Sequence, residues 1–565
     1  MDEMVSKKVL PNLARYSFEL SIDGYSTKGD PRHNVIVMSN GIAFALASVP
    51  TAGESADANH MGSIMKSAIH KVASMETKHQ IVEDFTSKPS EKTLADLNEL
   101  CFKITWITLD GAYVNHAAVK KIVTDLDCIT LSSKCSLHSL NLLLKDFLKV
   151  DWVEELIAPT KLLLRTFKNN SQISQGLKDL GGYKLKSYPV TRIAYFLITL
   201  KRILENRKYM IQVVQLQLFE NKIRNTRNLP KRSQFLESKS LVMDNELFWH
   251  NCEVFVAICS PILALIRMAD KCSSGFVSFI HFGMGVVRGL IKRIHRSVNQ
   301  QISVEELDAR IEVMDTLYLK RLDYVFNDSL LIARLLNPAL RKYNSNFVND
   351  PELMRPLKEF FKKFGTFSKT LSDEFDLFSI EDVFEEESFV KPPHQWWYSN
   401  GVDEYPTLSL VARRVTQASS SASITEQYWS ALDFQLTDRR MSLTESNLEL
   451  IMNVYFNTTL LSREPSLTSM KDLNSILEAS MSQVFLETDR WADSRIGIEA
   501  TFDQEDLQSI YRNEVVEVNL EDEEDEEDII VLSSRLSSSQ TRRLEEDTSG
   551  VERLIPLSKR PNNNE

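Results

Sequence analysis

Three carboxylates, Asp23, Asp110 and Glu426, sit where side chains can work on a bound cation. Asp23 ends the apolar run in L-S-I-D-G-Y-S (20–26) and is followed by Gly24; Asp110 ends C-F-K-I-T-W-I-T-L-D-G-A (101–112) and is followed by Gly111. Each pattern delivers a carboxylate to the rim of a sheet. One such aspartate commonly does no more than shape a turn. Glu426 adds a third acid from S-I-T-E-Q-Y-W-S (423–430), a helical stretch far downstream. Two strand-end acids and one helical acid form an oxygen-donor set for hard divalent ions, Mg²⁺ or Mn²⁺. Two such ions about 3.5–4 Å apart clamp the attacking and leaving oxygens of a phosphoryl transfer.

The elements that must position these acids follow from periodicity. Tyr16, Phe18, Leu20 and Ile22 alternate with polar neighbours, and H-N-V-I-V-M-S-N-G-I-A-F-A-L-A-S-V (33–49) reads as a hairpin turning on Asn40–Gly41. A helix is expected from about Asn59 to Met75, with Met61, Ile64, Met65, Ala68, Ile69 and Val72 on one stripe. A second helix is expected over 80–97, a buried strand over 102–109 and a helix over 113–126. A short strand at 128–131 and a helix over 137–148 follow. The resulting βββαβαβα order is ribonuclease H-like, and it sets the ends of the first and fourth strands side by side. From 151 to 390 helical spacing dominates, an all-α domain of about 240 residues. Within it, 375–393, acidic and then proline-rich, reads as a crossing loop, after which 405–461 is helical again.

The fold class is therefore α/β. A ribonuclease H-like N-terminal part (14–150) is followed by an all-α domain (151–390) and a C-terminal region (391–462). A helical or irregular extension (463–518) and a disordered acidic tail (519–565) come last.

Apolar residues at 43% and charged residues at 25% are ordinary for a water-soluble globular protein, and 565 residues exceed a single core. The six cysteines form no C-x-x-C pair, so no zinc finger is visible, and they read as reduced intracellular thiols. Residues 1–11 lack the apolar core of a signal peptide, and the longest apolar run, 254–266, is too short to span a bilayer; no membrane partner is expected. The net charge of −12 is unevenly spread. Residues 501–565, with 18 acids and 7 bases, carry −11, while 184–232, with 12 bases and 2 acids, carries +10. That basic segment contains Arg192, Lys201 and Arg202 and fits a polyanion, with a solvated helical face as the plainer alternative.

The ordered set of motifs resembles the hAT family of DNA transposases. F-E-L-S-I-D-G-Y-S, T-L-D-G-A-Y-V-N-H-A-A and S-K-C-S-L-H-S-L-N-L-L-L-K-D resemble a domain of unknown function shared by hAT-derived proteins. P-V-T-R-I-A, L-L-N-P-A-L, H-Q-W-W-Y-S-N-G, S-S-S-A-S-I-T-E-Q-Y-W-S-A and D-R-R-M-S-L continue the likeness into the family's C-terminal dimerisation region. The resemblance implies a metal-binding catalytic triad of Asp23, Asp110 and Glu426 that cleaves and joins DNA strands with Mg²⁺ or Mn²⁺. It implies that 151–390 is an all-α insertion into a ribonuclease H-like fold that 391–462 completes. It also implies DNA handling by Cys135 and His138, for which a buried helix cap is the alternative, a phosphate contact at Arg192, and a homo-oligomer formed through the C-terminal region. Trp396 and Trp397 read as packing residues rather than ligands.

Three departures go with it. Ile193 stands where the family has an aromatic residue, and an aliphatic side chain cannot stack on a flipped base, a contact worth about 1–3 kcal/mol. Gln427 replaces an arginine after the glutamate. The family's N-terminal BED zinc finger is expected to be missing. The alternative is thus a catalytically silent, domesticated DNA-binding and dimerising protein. A DNA substrate implies the nucleus. In the tail, Ile529, Ile530, Val531 and Leu532 follow eight consecutive acids (521–528), a pattern resembling a SUMO-interacting motif that adds a strand to the modifier's sheet; a solubilising tail is the alternative.

Overall fold

A computed structural model describes residues 5–27, 30–50, 58–77, 104–109, 118–119, 129–185, 193–298, 302–380, 386–435 and 444–485. Five strands, β1 (Phe18–Thr27), β2 (Asp30–Ser39), β3 (Ile42–Pro50), β4 (Ile104–Leu109) and β5 (Ile129–Lys134), form one mixed sheet in the order β3-β2-β1-β4-β5. The first three strands are antiparallel; β4 runs parallel to β1, and β5 parallel to β4. The β2–β3 turn is the expected Asn40–Gly41, with φ of 48° and 75°, the left-handed pair that a tight hairpin requires. A side chain at Gly41 would also sit 2.4 Å from the Ser466 carbonyl oxygen, so the close approach of residue 466 demands glycine too.

The period of two assigns the two faces. Phe18, Leu20 and Ile22 join Val35, Val37, Phe44, Ile107 and Leu109 under α1 (Ala58–Thr77), through the expected stripe of Met61, Ile64, Met65, Ala68, Ile69 and Val72. The opposite face carries Glu19, Ser21 and Asp23, which pair across the strands with Met38, Ile36 and Asn34. Ile36, Met38, Ala43 and Ala45 of that face pack under two helices from the far end of the chain. These are α13 (Ser423–Gln435), through Ile424, Tyr428, Trp429 and Leu432, and α14 (Glu445–Ser462), through Leu448, Met452, Phe456 and Leu460. The same face continues through Ile104, Trp106, Ile129 and Leu131 into the helical core, beginning with α2 (Ser136–Phe147).

Between α2 and α13 most of the described residues are helical. The helices used below are α3 (Ile193–Gln215), α4 (Gln217–Asn225), α5 (Leu229–Asp244), α6 (Glu246–Asp270), α7 (Val277–Val298), α8 (Val304–Val325), α9 (Asp328–Leu335), α10 (Ser368–Ile380), α11 (Pro393–Ser399) and α12 (Pro406–Val415). The helix α6 contains the long apolar run. By length and composition it could cross a membrane, but most of it is buried against α2, α3, α7 and α15 (Met470–Phe485), as its apolar surface demands in a core. Among the described residues Cys135, Cys252, Cys259 and Cys272 are buried and form no disulfide with one another.

Two expectations are corrected. The stretch read as a crossing loop over 375–393 is helical where described: α10 reaches Ile380, Glu386–Val390 is a further turn of helix, and Pro393 opens α11. Leu371, Phe375 and Phe378 lie on one buried stripe, and proline is suited to a first helical position. The region 405–461 is not one helical run either. Between α12 and α13 the chain passes as a wholly buried, non-helical strap, 416–422, with Ser420 at φ 56°. Serine side chains offer the backbone hydrogen bonds that compete with a helix. The helix expected over 80–97 lies outside the described residues. So do most of the helix expected over 113–126, the tail, and the extension beyond 485.

Candidate active site at the β1–α13 junction

Asp23 follows Ile22, and Ile22 is paired with Leu109, the residue before Asp110. The parallel pairing of β1 with β4 stops at this pair, but β1 itself runs on to Thr27 against β2, so Asp23 lies within the strand and not at its end as the sequence suggested. Asp110 itself lies outside the described residues. Asp23 is half-buried and accepts a hydrogen bond from Trp429 Nε1 at 3.0 Å. Glu426 is exposed in the first turn of α13, three residues before Trp429, so the two point from neighbouring positions on that helix. A second bond seats the same turn: Asn34 Nδ2, on the residue opposite Asp23 in β2, donates to the Thr425 carbonyl at 3.0 Å. The helix carrying Glu426 is thus pinned to Asp23 and to its cross-strand neighbour. Beside Glu426, Gln427 Oε1 accepts from Arg463 Nη1 at 3.0 Å, so a guanidinium from after α14 stands next to the departure noted in the sequence.

The donor set suits a hard divalent ion in kind, since carboxylate oxygens are its preferred ligands. Among the described residues, which include two of the three acids, no cluster of three ligating side chains forms.

Behind the acids lies a layer that the motifs do not announce. Glu19, four residues before Asp23 on the same face of β1, is fully buried. Its carboxylate accepts from Thr108 Oγ1 of β4 and from the Ser419 N–H of the strap, the latter at 2.7 Å. Burial pushes the Glu19 carboxyl up to about 7, against the lowering effect of these bonds. Cys135 caps the start of α2 without exposing its thiol. Its N–H donates to the Leu109 carbonyl at 2.8 Å, and its Sγ accepts from the Ala422 N–H at 3.2 Å. Ser136 donates to the Ser420 carbonyl through both N and Oγ, at 2.9 and 2.6 Å, and Cys272 Sγ lies 3.7 Å from the Ser421 carbonyl. The period-two placement of Glu19 with Asp23 is the one signal in the sequence that points to it.

The other expected site residues distribute as follows. Cys135 is buried in the scaffold, so any influence on DNA is indirect; His138, on the next turn of α2, is half-buried. Lys201 and Arg202 lie on α3, both half-buried. Burial lowers the Lys201 pKa, and Arg202 pairs with Glu205 at 2.9 Å while lying over the Tyr183 ring. Arg192 and the tail residues Ile529, Ile530, Val531 and Leu532 lie outside the described residues. Trp396 and Trp397 are packing residues, fully buried, with Trp397 Nε1 bonded to the Leu336 carbonyl at 2.7 Å.

The open positive charge of the basic segment sits instead on the α4–α5 knuckle. Lys222, Arg224, Arg227, Lys231 and Arg232 occur there with no acid between them, and none closes an ion pair among the described residues. On the far side of α14, Leu450, Val454 and Tyr455 are 62%, 49% and 45% exposed. With Ile451, Thr458 and Thr459 they line a shallow apolar groove.

The family model for the hAT family C-terminal dimerisation region matches residues 374–458, from within α10 through most of α14. Over these residues the chain is similar to hAT-family, transposase-like proteins. The matched region holds the strap, Glu426, Trp429 and the exposed face of α14; it starts within α10, ahead of the expected boundary at 391. No curated protein matches the chain.

Proposed function

We propose that this chain is a hAT-family, metal-dependent DNA strand-cleaving and strand-joining enzyme that works as a homo-oligomer in the nucleus. The observation that carries the reading is the docking of the Glu426 turn onto β1 and β2, through Trp429–Asp23 and Asn34–Thr425. The strand order β3-β2-β1-β4-β5, with Asp23 and Asp110 following paired residues, supports a ribonuclease H-like core interrupted by the helical region. Asp23, Asp110 and Glu426 would hold Mg²⁺ or Mn²⁺. When bound, the ions lower the pKa of a nucleophilic water or 3′-hydroxyl and neutralise charge on the scissile phosphate. The chain's own work is positioning: β1 and β4 fix two acids, and α13 brings the third. The α4–α5 knuckle supplies phosphate contacts, and the tail tetrad 529–532 is proposed as a SUMO contact.

The apolar groove on α14 is proposed to receive a second copy of this chain. The hAT dimerisation match covers Leu450, Val454 and Tyr455, and an exposed apolar row of this kind favours a protein partner over water.

A second reading, a catalytically silent DNA-binding dimer, has two observations in its favour. Trp429 occupies one oxygen of Asp23, and Gln427 stands in place of a charged residue, with Arg463 on its amide. A divalent-dependent nicking assay on duplex DNA separates the two. Nicking by the native chain that is lost in Asp110→Ala and Glu426→Gln supports the enzyme; equal activity in all three proteins supports the silent reading.

A further inference from the structure

We infer that Glu19 is a positioning residue, a latch that holds the 416–422 strap against the sheet and so fixes where α13 presents Glu426. The strap is the sole covalent link between α12 and α13, and it lies buried without helix or strand bonds of its own. Its backbone is held from three directions: by Glu19 at Ser419, by Ser136 and Cys135 at Ser420 and Ala422, and by Ser274 and Val277 at Gln417 and Ala418. Among the described residues only Glu19 brings a carboxylate to it. That carboxylate spans β1, β4 and the strap at once, since its two oxygens take Thr108 Oγ1 and Ser419 N–H separately. A buried carboxylate is an expensive acceptor where an amide or hydroxyl would serve, and a bond to a charged group is correspondingly stronger. Three residues beyond Ala422, Thr425 meets Asn34, and four further on Trp429 meets Asp23. The strap's position is therefore handed to the two bonds that seat Glu426.

The consequence for catalysis rests on the proposed function; the latch itself does not, and its test needs neither metal nor DNA. Amide exchange is measured on the full-length chain for the native protein, Glu19→Leu and Glu19→Gln. Leucine has a similar size and no acceptor; glutamine keeps an acceptor oxygen. Glu19→Leu is expected to speed exchange of the amides of 419–425 by roughly tenfold or more, the equivalent of one buried hydrogen bond. Protection under α1 should stay native, and Glu19→Gln should restore most of the strap's protection. Unchanged exchange at 419–425 in Glu19→Leu, or a uniform loss over the whole sheet, overturns the latch. Should Glu19→Leu not fold, Thr108→Val, which removes the other partner of the carboxylate, is read by the same criteria. Where the native chain nicks DNA, Glu19→Leu should lose turnover while duplex affinity holds, and Glu19→Gln should recover it. A native chain without nicking removes the enzymatic reading and leaves the exchange result standing.

Discussion

Trp429 Nε1 and Asp23 Oδ2, 406 positions apart in the chain, lie 3.0 Å from each other. The indole ties α13 to β1, and it does so on an oxygen of the carboxylate proposed to hold a cation. Trp429→Phe keeps the aromatic packing against Tyr428 and removes only the N–H. Loss of a bond to a charged acceptor costs about 1.5–3 kcal/mol, so the melting temperature should fall by several degrees. If Asp23 takes Mn²⁺ as proposed, the rise in melting temperature on adding Mn²⁺ should be larger in this variant than in the native chain, because Asp23 is released. A smaller rise would mean that the indole orients the carboxylate for the ion rather than competing with it.

Duplex affinity is expected to depend on the α4–α5 knuckle more than on Arg202, whose guanidinium is already committed to Glu205. Converting Arg224, Arg227, Lys231 and Arg232 together to alanine should reduce the slope of log affinity against log salt by about 3 to 4, close to 0.9 for each phosphate no longer neutralised. Arg202→Ala should change it by less than one. Anisotropy titrations of a labelled duplex at several salt concentrations measure both.

Oligomeric state should respond to the exposed side of α14 and not to its buried side. Leu450→Glu with Val454→Glu places two charges on the open groove, away from Met452 and Phe456 in the core. Sedimentation is expected to show a native oligomer and a monomeric double variant of unchanged melting temperature. Identical sedimentation of the two proteins would remove the groove from the interface.

Burial raises the Glu19 carboxyl from 4.5 to about 7, so the folded protein holds this proton more tightly than the unfolded chain does. Its contribution to stability is full below about 4.5 and is lost as pH rises through 7. The buried histidines act in the other direction. His394 and His295 are lowered by burial to about 3 and about 4, so each costs stability as pH falls below 6.5. The comparison that isolates Glu19 is the difference in melting temperature between the native chain and Glu19→Gln. Between pH 5 and pH 8 the native chain should lose ground steadily to the variant. A constant difference would place the carboxyl's titration outside this range.

The sheet is legible in the sequence because its signals are local. Alternation of Phe18, Leu20 and Ile22 marks β1, and Asn40–Gly41 admits only a tight left-handed turn. The apolar stripe of α1 likewise follows from spacing alone. Glu19 escapes such a reading because a polar residue in an alternating strand normally faces water; here the strap and α13 cover that face, and nothing near residue 19 announces a cover from residue 419. The strap breaks the helical run expected over 405–461 because its serines bond one another, Glu19 of β1 and the end of β5 instead of a helix ladder. In α10, acids around Phe375 and Phe378 conceal a helix whose apolar side is only one stripe wide.

The bond between Glu19 and Ser419 crosses 400 positions. A ribosome must therefore deliver most of the polypeptide before β1 can be sealed on its second side. Until then Ile36, Met38, Ala43 and Ala45 form an uncovered oily surface on a newborn sheet. Nascent chains arrested after residue 415 should be cut readily within β2 and β3, and those arrested well past 500 should resist. Premature termination ahead of α13 would thus leave an aggregation-prone fragment for chaperones and proteases rather than a smaller working protein.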